Sequence, residues 1–439
     1  MWERLREGVA RSCVADFLRV LLLTVSAAEW CVLWWLCPAL PWPVHLVGPV
    51  GVYTGNWFFA RWTYRRRLAR QPMGVLPRCY CAVAFTSLFC AAFLIVTGAA
   101  WLAAKMALGA LTAEAWTTQT VLAVDSGLDA GCRWLAHAGM ALIVIALTYG
   151  YTVGQARLRV SRLRLSLARF DAALNELGIV HISDIHIGHN LRHEELEGFV
   201  TRINELRPDI LCITGDIIDS RLADYEGSLP ILARLHARFG VFAILGNHDH
   251  HAGADRVEAA FRRLTAFTVL RDQYVTIRIK GHPLHIVGLD DRERNWPRGV
   301  PSVPYLTAVL TAIPSDEPVL LLSHRPDVFP QAAAGGVALT LSGHTHGGQI
   351  GVPWFDGRTR NLAEFLTAFD RGLYERDGCY LYVNCGLGVT GQRIRLSTPR
   401  EITVIEVQAD TVAAADGVTV WSSRSHARAP RSAHRGRTT

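Results

Sequence analysis

Long uncharged runs are confined to the first third of this chain, and that asymmetry limits its architecture more than any other feature. A helix of about 20 apolar residues crosses a bilayer, and four segments approach that length. They are Phe17 to Cys37, interrupted by Arg19 and Glu29; Val44 to Ala60, short and carrying Pro49; the uncharged Cys79 to Ala104; and Trp134 to Val153, with His137 inside it. A cleaved signal peptide ending at Ser26-Ala27-Ala28 is the competing reading of the first run. The apolar continuation through Trp30, Trp34 and Trp35 argues against it. The remaining two thirds has the composition of an ordinary globular domain. The sequence therefore predicts a membrane part over 1–154 and a soluble part after it, consistent with 50% hydrophobic and only 19% charged residues.

Basic residues set the expected orientation, because Lys and Arg favour the cytoplasmic side of short connections. Arg4, Arg6 and Arg11 precede the first span, and Arg61, Arg65, Arg66, Arg67, Arg70 and Arg78 crowd the connection after the second. Arg157, Arg159, Arg162, Arg164 and Arg169 follow the fourth. The connection around Pro38 to Pro43 has no Lys or Arg. The one from Lys105 to Arg133 reads as a long loop, basic only at its edges, with Glu114, Asp125 and Asp129 between. Four spans then alternate in, out, in, out, in, and both termini are expected in the cytoplasm. The net charge of +7 follows from these juxtamembrane arginines and a basic tail, which suit anionic headgroups. No nucleic-acid module accompanies them, so no nucleic-acid partner is expected. Of ten cysteines, only Cys212, Cys379 and Cys385 fall in the soluble part, as in a reducing compartment. His137, Trp34, Trp35 and Trp57 are expected to pack or anchor helices.

Within the soluble part, Gln155 to Leu165 alternates arginine and apolar residues at period two and predicts an edge strand. Short apolar runs then predict strands at Gly178 to Ile187, Asp209 to Ile218, Val241 to Leu245, Leu284 to Leu289, Val319 to Leu322, Ala338 to Leu341, Cys379 to Val383 and Glu401 to Val407. Amphipathic stretches predict helices at Arg192 to Leu206 and Tyr225 to Arg238. Strands alternating with helices indicate an α/β layered domain over 155–408. The segment 409–439, rich in Ala, Ser, Arg and Thr, is expected to be a disordered basic tail.

Five polar blocks close these strands. They are Asp184-Ile185-His186, Gly215-Asp216-Ile217-Ile218-Asp219, Gly246-Asn247-His248-Asp249, Ser323-His324, and Gly343-His344-Thr345-His346-Gly347-Gly348. Carboxylate, amide and imidazole donors without thiolate suit divalent transition ions such as Mn, Fe, Co or Zn, and exclude a thiolate zinc finger.

In this order the blocks resemble the calcineurin-like metallophosphoesterase superfamily, over about Gly178 to Val407, including Gly386-Leu387-Gly388 and Pro399-Arg400-Glu401-Ile402. The form of Gly343 to Ile350 is similar to membrane-attached bacterial members with N-terminal helices. The resemblance implies a four-layer α/β/β/α sandwich preceded by a four-helix transmembrane region, in a multi-pass inner (plasma) membrane protein. It implies two divalent metal ions, one on Asp184, His186, Asp216 and His346, the other on Asp216, Asn247, His324 and His344. His248 matches the family's general acid, and Asp219 the carboxylate that orients a catalytic histidine. The implied chemistry is in-line attack by a metal-bound hydroxide on the phosphorus of a phosphomonoester, phosphodiester or pyrophosphate. Protein phosphatases carry Arg directly after the carboxylate corresponding to Asp219, whereas here Ser220 stands there and Arg221 one place later. That leaves the phosphate-binding residue unassigned.

Other polar residues have blander readings: His181 as packed, His189, His250 and His251 as solvated, Asp290-Asp291 as a turn. Arg393 and Arg395 are candidates for a substrate phosphate. Loops at Asp290 to Pro304 and Val352 to Gly372 are expected to shape selectivity. The expected partners are a phosphorylated small molecule or lipid-linked phosphate, and the bilayer itself. The alternative is a membrane sensor or scaffold with a regulatory phosphoesterase-like domain, which a complete donor set with His248 opposes.

Overall fold

A computed structural model of the chain describes residues 2–68, 74–111, 118–167, 169–188, 190–219, 226–291, 303–356, 358–409 and 418–420. Its internal contacts divide it into Met1–Tyr149 and Gly150–Thr439.

The first unit is helical: α1 (Trp2–Leu36), α2 (Trp42–Leu68), α3 (Val75–Leu111) and α4 (Thr118–Thr152). Three of them, α1, α3 and α4, are long and apolar enough to cross a membrane. The second expected span is a helix too, but Pro49, Asn56 and its arginines leave α2 outside that class. Asn56 donates to Ser26 Oγ at 3.0 Å and Glu29 Oε2 at 2.7 Å, and Tyr80 donates to Asn56, so the polar groups of three helices satisfy one another. The expected long loop from Lys105 to Arg133 is not found, because α3 and α4 continue through most of it. Its charges pair instead across the two helices: Lys105 Nζ lies 3.0 Å from Asp125 and 2.7 Å from Asp129, which also accepts from Trp101 Nε1 at 2.9 Å.

The second unit is a four-layer α/β/β/α sandwich. Its strands are β1 (Leu158–Leu167), β2 (Gly178–Ile182), β3 (Ile210–Thr214), β4 (Val241–Ile244), β5 (Thr268–Val269), β6 (Gln273–Ile279), β7 (His282–Gly288), β8 (Val319–Leu322), β9 (Leu339–Ser342), β10 (Gly351–Pro353), β11 (Thr359–Asn361), β12 (Gly372–Arg376), β13 (Cys379–Val383), β14 (Arg400–Ala409) and β15 (Val418–Val420). One sheet runs β15-β1-β14-β2-β3-β4-β5 and the other β12-β13-β9-β8-β7-β6, while β10 and β11 pair alone. Between the sheets, Leu163, Leu165, Ile179, Ile210 and Phe242 meet Ile286, Leu320, Leu339 and Leu341. The period-two alternation sends the next residues to the opposite faces. There Val180, Leu211 and Ala243 pack under α5 (His193–Glu205) and α7 (Asn247–Leu264). Val287 and Leu321 pack under α8 (Val303–Leu310) and residues of α9 (Phe329–Ala334).

Two expectations differ. The strand expected at an edge, β1, lies between β14, parallel over ten residue pairs, and β15, antiparallel over three. Apart from Val418–Val420, the tail beyond Ala409 lies outside the described residues. The helix expected over Tyr225 to Arg238 shrinks to α6, Leu229–Leu232. The side chain of Asn204 donates to Arg234 O at 2.8 Å and accepts from His236 N at 3.3 Å, engaging backbone groups that a longer helix would use itself.

Candidate metal centre

All five blocks sit at the C-terminal ends of parallel strands: β2, β3 and β4 from one sheet, β8 and β9 from the other. Ladder bonds continue past the strands and hold the loops in register, with Asp184 N donating to Gly215 O and His186 N to Asp216 O, each at 3.0 Å. Asp184, His186, Asp216, His344 and His346 all have φ between 48° and 70°. Few non-glycine residues adopt this left-handed region, and it persists only where the surroundings enforce it. Glycine supplies the close approaches. A Cβ on Gly246 would lie 2.2 Å from Asp216 Oδ1, and one on Gly388 would lie 2.2 Å from the Ile185 carbonyl oxygen.

The expected ligands come together in overlapping groups whose donor atoms lie within 4.8 Å: Asp184, His186 and His346; Asp216, His324 and His344; and His186, Asp216 and His248. His324 Nε2 is 3.3 Å from Asp216 Oδ2 and 3.2 Å from Asn247 Oδ1, which brings Asn247 to the same place. His346 Nε2 is 3.0 Å from His186 Nε2 and 3.4 Å from Asp184 Oδ1. His324 Nδ1 lies 2.7 Å from the Thr214 carbonyl, to which it donates, and this orients Nε2 toward Asp216. His186 Nδ1 meets Asp219 Oδ1 at 3.2 Å in the same way.

Asp184 and Asp216 are buried, and their ion-pair partners among the described residues are histidines. Burial raises the pKa of Asp184. Burial alone would depress His324, but the Asp216 and Asp184 carboxylates lift it to about 10. Burial and neighbouring cations hold His344 and His346 well below the usual range. Converging hard and borderline donors, two buried carboxylates and oriented imidazoles fit a pair of divalent ions.

His248 differs from the ligands. It is half-buried, its Nδ1 lies 2.7 Å from the Asp219 carbonyl oxygen, and its ring stands edge-on to His186 at 4.7 Å. Burial opposes its charged form, but Asp219 and Asp216 raise it to about 9. Burial likewise disfavours ionised Asp219, yet its bonds to His186 and His248 hold it below the ordinary carboxylate range.

Two residues with supporting work, Asp249 and Glu401, were named in the sequence only as members of their blocks, and a third, Arg395, was read there as a phosphate candidate. Asp249 is buried and accepts from the backbone N–H of Gly246, Ile217 and Ile218 at 2.9, 3.2 and 2.8 Å, clipping two blocks together. Burial and the Asp216 charge raise it to about 6. Its signal was its place three residues into α7, where a carboxylate caps free N–H groups. Glu401, buried, accepts from Arg159 at 2.9 Å, Tyr382 at 2.9 Å and Cys385 N at 3.1 Å, and also from Ser161. Arg395, an expected phosphate ligand, is fully buried. It donates to the carbonyls of Cys385, Gly386 and Gly388 at 2.8, 3.1 and 2.6 Å, and its Nη2 lies 3.5 Å from His346 Nδ1. Arg393 pairs with Glu195 at 2.7 Å.

The remaining candidates are held by other partners. His250 pairs with Asp290 at 2.7 Å and Asp291 with Arg325 at 2.9 Å. The ring of His251 stands 5.9 Å from that of His248. His181, buried, meets Thr214 Oγ1 at 2.8 Å, and burial lowers it to about 3, a packed neutral imidazole. His189, Ser220 and Arg221 lie outside the described residues.

A family model described as calcineurin-like phosphoesterase matches residues 177–348. The chain is 34% identical over 233 residues to the uncharacterized metallophosphoesterase YkuE of Bacillus subtilis, covering 52% of this chain and 78% of that protein. It is 30% identical to a bovine transmembrane protein with metallophosphoesterase domain, covering 57% of each. It is 29% identical to the UDP-2,3-diacylglucosamine pyrophosphatase LpxG of Chlamydia trachomatis, covering 56% of this chain and 88% of that protein.

Proposed function

The chain belongs to the calcineurin-like metallophosphoesterase family, and from that premise we propose that it is a membrane-attached hydrolase of phosphoester or diphosphate bonds using two divalent metal ions. The observation that carries this reading is the convergence of seven donor side chains from the ends of five strands in two sheets. Asp184, His186, Asp216 and His346 would hold one ion, and Asp216, Asn247, His324 and His344 the other, with Asp216 serving both. When bound, such ions acidify a water toward neutral pKa and supply positive charge for the phosphoryl oxygens. His248, fixed through Nδ1, would present its Nε2 proton to the departing oxygen as the P–O bond breaks. Asp219 braces both His186 and His248.

The reading assigns 1–154 to the membrane and 155–408 to catalysis. The arginine distribution supports a plasma-membrane protein with the catalytic unit and both termini in the cytoplasm. A substrate that is a lipid-linked phosphate or diphosphate is supported by the similarity to a diacylglucosamine pyrophosphatase and by three helices long enough to cross a membrane. The test is hydrolysis of bis-p-nitrophenyl phosphate, p-nitrophenyl phosphate and a diacylated sugar nucleotide by the full chain in detergent. The protein is stripped of metal, then restored with Mn, Fe, Co or Zn. Metal-dependent turnover that is absent in Asp216→Asn supports the proposal. No turnover with any metal in a folded, metal-loaded sample overturns it, and turnover confined to soluble esters sinks the lipid assignment.

A further inference from the structure

Hydrolysis leaves one surface of the catalytic unit without a use. Nine large hydrophobic side chains are exposed among the described residues after Tyr149, and six of them fall between 352 and 366: Val352, Trp354, Phe355, Leu362, Phe365 and Leu366. Phe355 is 99% and Phe365 86% exposed, an arrangement that costs free energy in water and marks a contact surface. Trp354 and Phe355, ring centroids 5.6 Å apart, directly follow β10 in its hairpin with β11. Leu362–Phe365 form a single turn, capped where Asn361 accepts from Ala363 N at 2.9 Å.

The hairpin is braced at its base. Asn361 donates to Asp370 Oδ2 at 2.7 Å, Tyr374 donates to Asp370 Oδ1 at 2.7 Å, and Arg371 donates to the Thr359 carbonyl at 2.9 Å. The base also rests on the loop that carries His344 and His346. Thr345 Oγ1 donates to the Asp370 carbonyl, and a Cβ on Gly348 would come within 2.5 Å of Asn361 Oδ1. Charges on the hairpin neutralise one another, Arg360 lying 2.8 Å from Asp356 and 3.1 Å from Glu364. What remains is a braced, aromatic-tipped projection beside the metal centre, with paired charges and uncovered rings.

We propose that this hairpin and turn form a membrane-docking surface, seating Trp354, Phe355 and Phe365 in the lipid interface and turning the metal centre toward substrates held in the bilayer. Three observations select lipid as the occupant. Helices α1, α3 and α4 are long and apolar enough to cross a membrane. Only residues 153–157, three of them in the 3-10 turn Gly154–Ala156, separate α4 from β1. Trp and Phe on a projecting element are the side chains that interfacial anchors use. The proposal rests on the reading of the helical unit as membrane-embedded, and it supplies that reading with a route for a lipid-linked substrate.

The test uses the full chain in nanodiscs of phosphatidylethanolamine and phosphatidylglycerol, with p-benzoylphenylalanine in place of Phe355, of Phe365 or, as control, of Tyr305, which is exposed on α8. After irradiation, mass spectrometry is expected to find lipid adducts at positions 355 and 365 at least about tenfold above those at 305. Equal yields at all three, adducts to a second copy of the chain, or a chain that fails to enter nanodiscs would overturn the proposal. Because the adduct forms without turnover, its absence is separable from failure of the hydrolase reading. Phe355→Ser with Phe365→Ser provides a second reading. It should keep hydrolysis of the soluble bis-p-nitrophenyl phosphate within about twofold, showing an intact centre, while losing the lipid adduct at a photoprobe in place of Trp354.

Discussion

Five of the seven candidate ligands have left-handed backbone, and this concentrates strain where the donors must converge. Asp249 is one of the groups that enforces it, because its three accepted N–H bonds bind the loop bearing Asp216 to the start of α7. Asp249→Ala leaves three buried donors unsatisfied and is expected to cost about 3 kcal/mol or more, read as a lowered denaturation midpoint of the metal-free protein. His248 is expected to behave differently from the ligands. His248→Ala should lower kcat on bis-p-nitrophenyl phosphate by about 10²–10⁴-fold while metal content, measured by elemental analysis, is unchanged. Loss of metal together with activity would make His248 a ligand, which its place beside Asp216 and His186 also permits geometrically.

At the scale of elements, β14 does more than close the sheet. Through Glu401 it joins β1 at Arg159, β13 at Tyr382 and the backbone of Cys385, and the following loop lies against Asp184, with Gly388 N donating to its carbonyl at 2.6 Å. Burial disfavours the Glu401 carboxylate, but Arg159 and three hydrogen bonds hold its pKa below the usual value. Because folding lowers that pKa, the contribution to stability is complete above the unfolded value of about 4.3 and disappears as pH falls through the folded one. Glu401→Gln is therefore expected to cost about 3 kcal/mol at neutral pH. That difference should narrow in acid, which urea denaturation of both proteins at pH 7 and near pH 3.5 would show. A constant difference across that range would mean that the carboxylate charge contributes nothing.

For the whole molecule, the parity of membrane crossings decides where catalysis occurs. Four crossings place both termini on one side, whereas crossings by α1, α3 and α4 alone place them on opposite sides. The arginines of α2 and its C-terminal connection favour an end of α2 on the cytoplasmic side, although Arg159 and Arg164 of the later cluster are occupied in ion pairs within the sheet. Four crossings are expected. Fusions of green fluorescent protein to either terminus should fluoresce, and alkaline phosphatase fused between α3 and α4 should be active. A fluorescent C-terminus with an N-terminus reachable only from outside would instead show that α2 does not cross.

Much of this protein was legible in order and period. The five blocks named the candidate donors because chemistry at a metal is set by residue type, and strands such as Val319–Leu322 and Cys379–Val383 were visible as bounded apolar runs. Helix extent beyond the apolar stretch was not, since Lys105 with Asp125 and Asp129 reads as a loop until two helices pair those charges. The hidden roles of Asp249, Arg395 and Glu401 have the same cause. Each satisfies backbone or side-chain groups far away in the chain, and only folding brings those groups near. The sequence by itself determined which atoms could bind metal and that a part rich in long apolar runs precedes them. The tertiary structure alone decided which polar residues face the centre and which are spent holding it, because burial and long-range hydrogen bonding are properties of the packed chain.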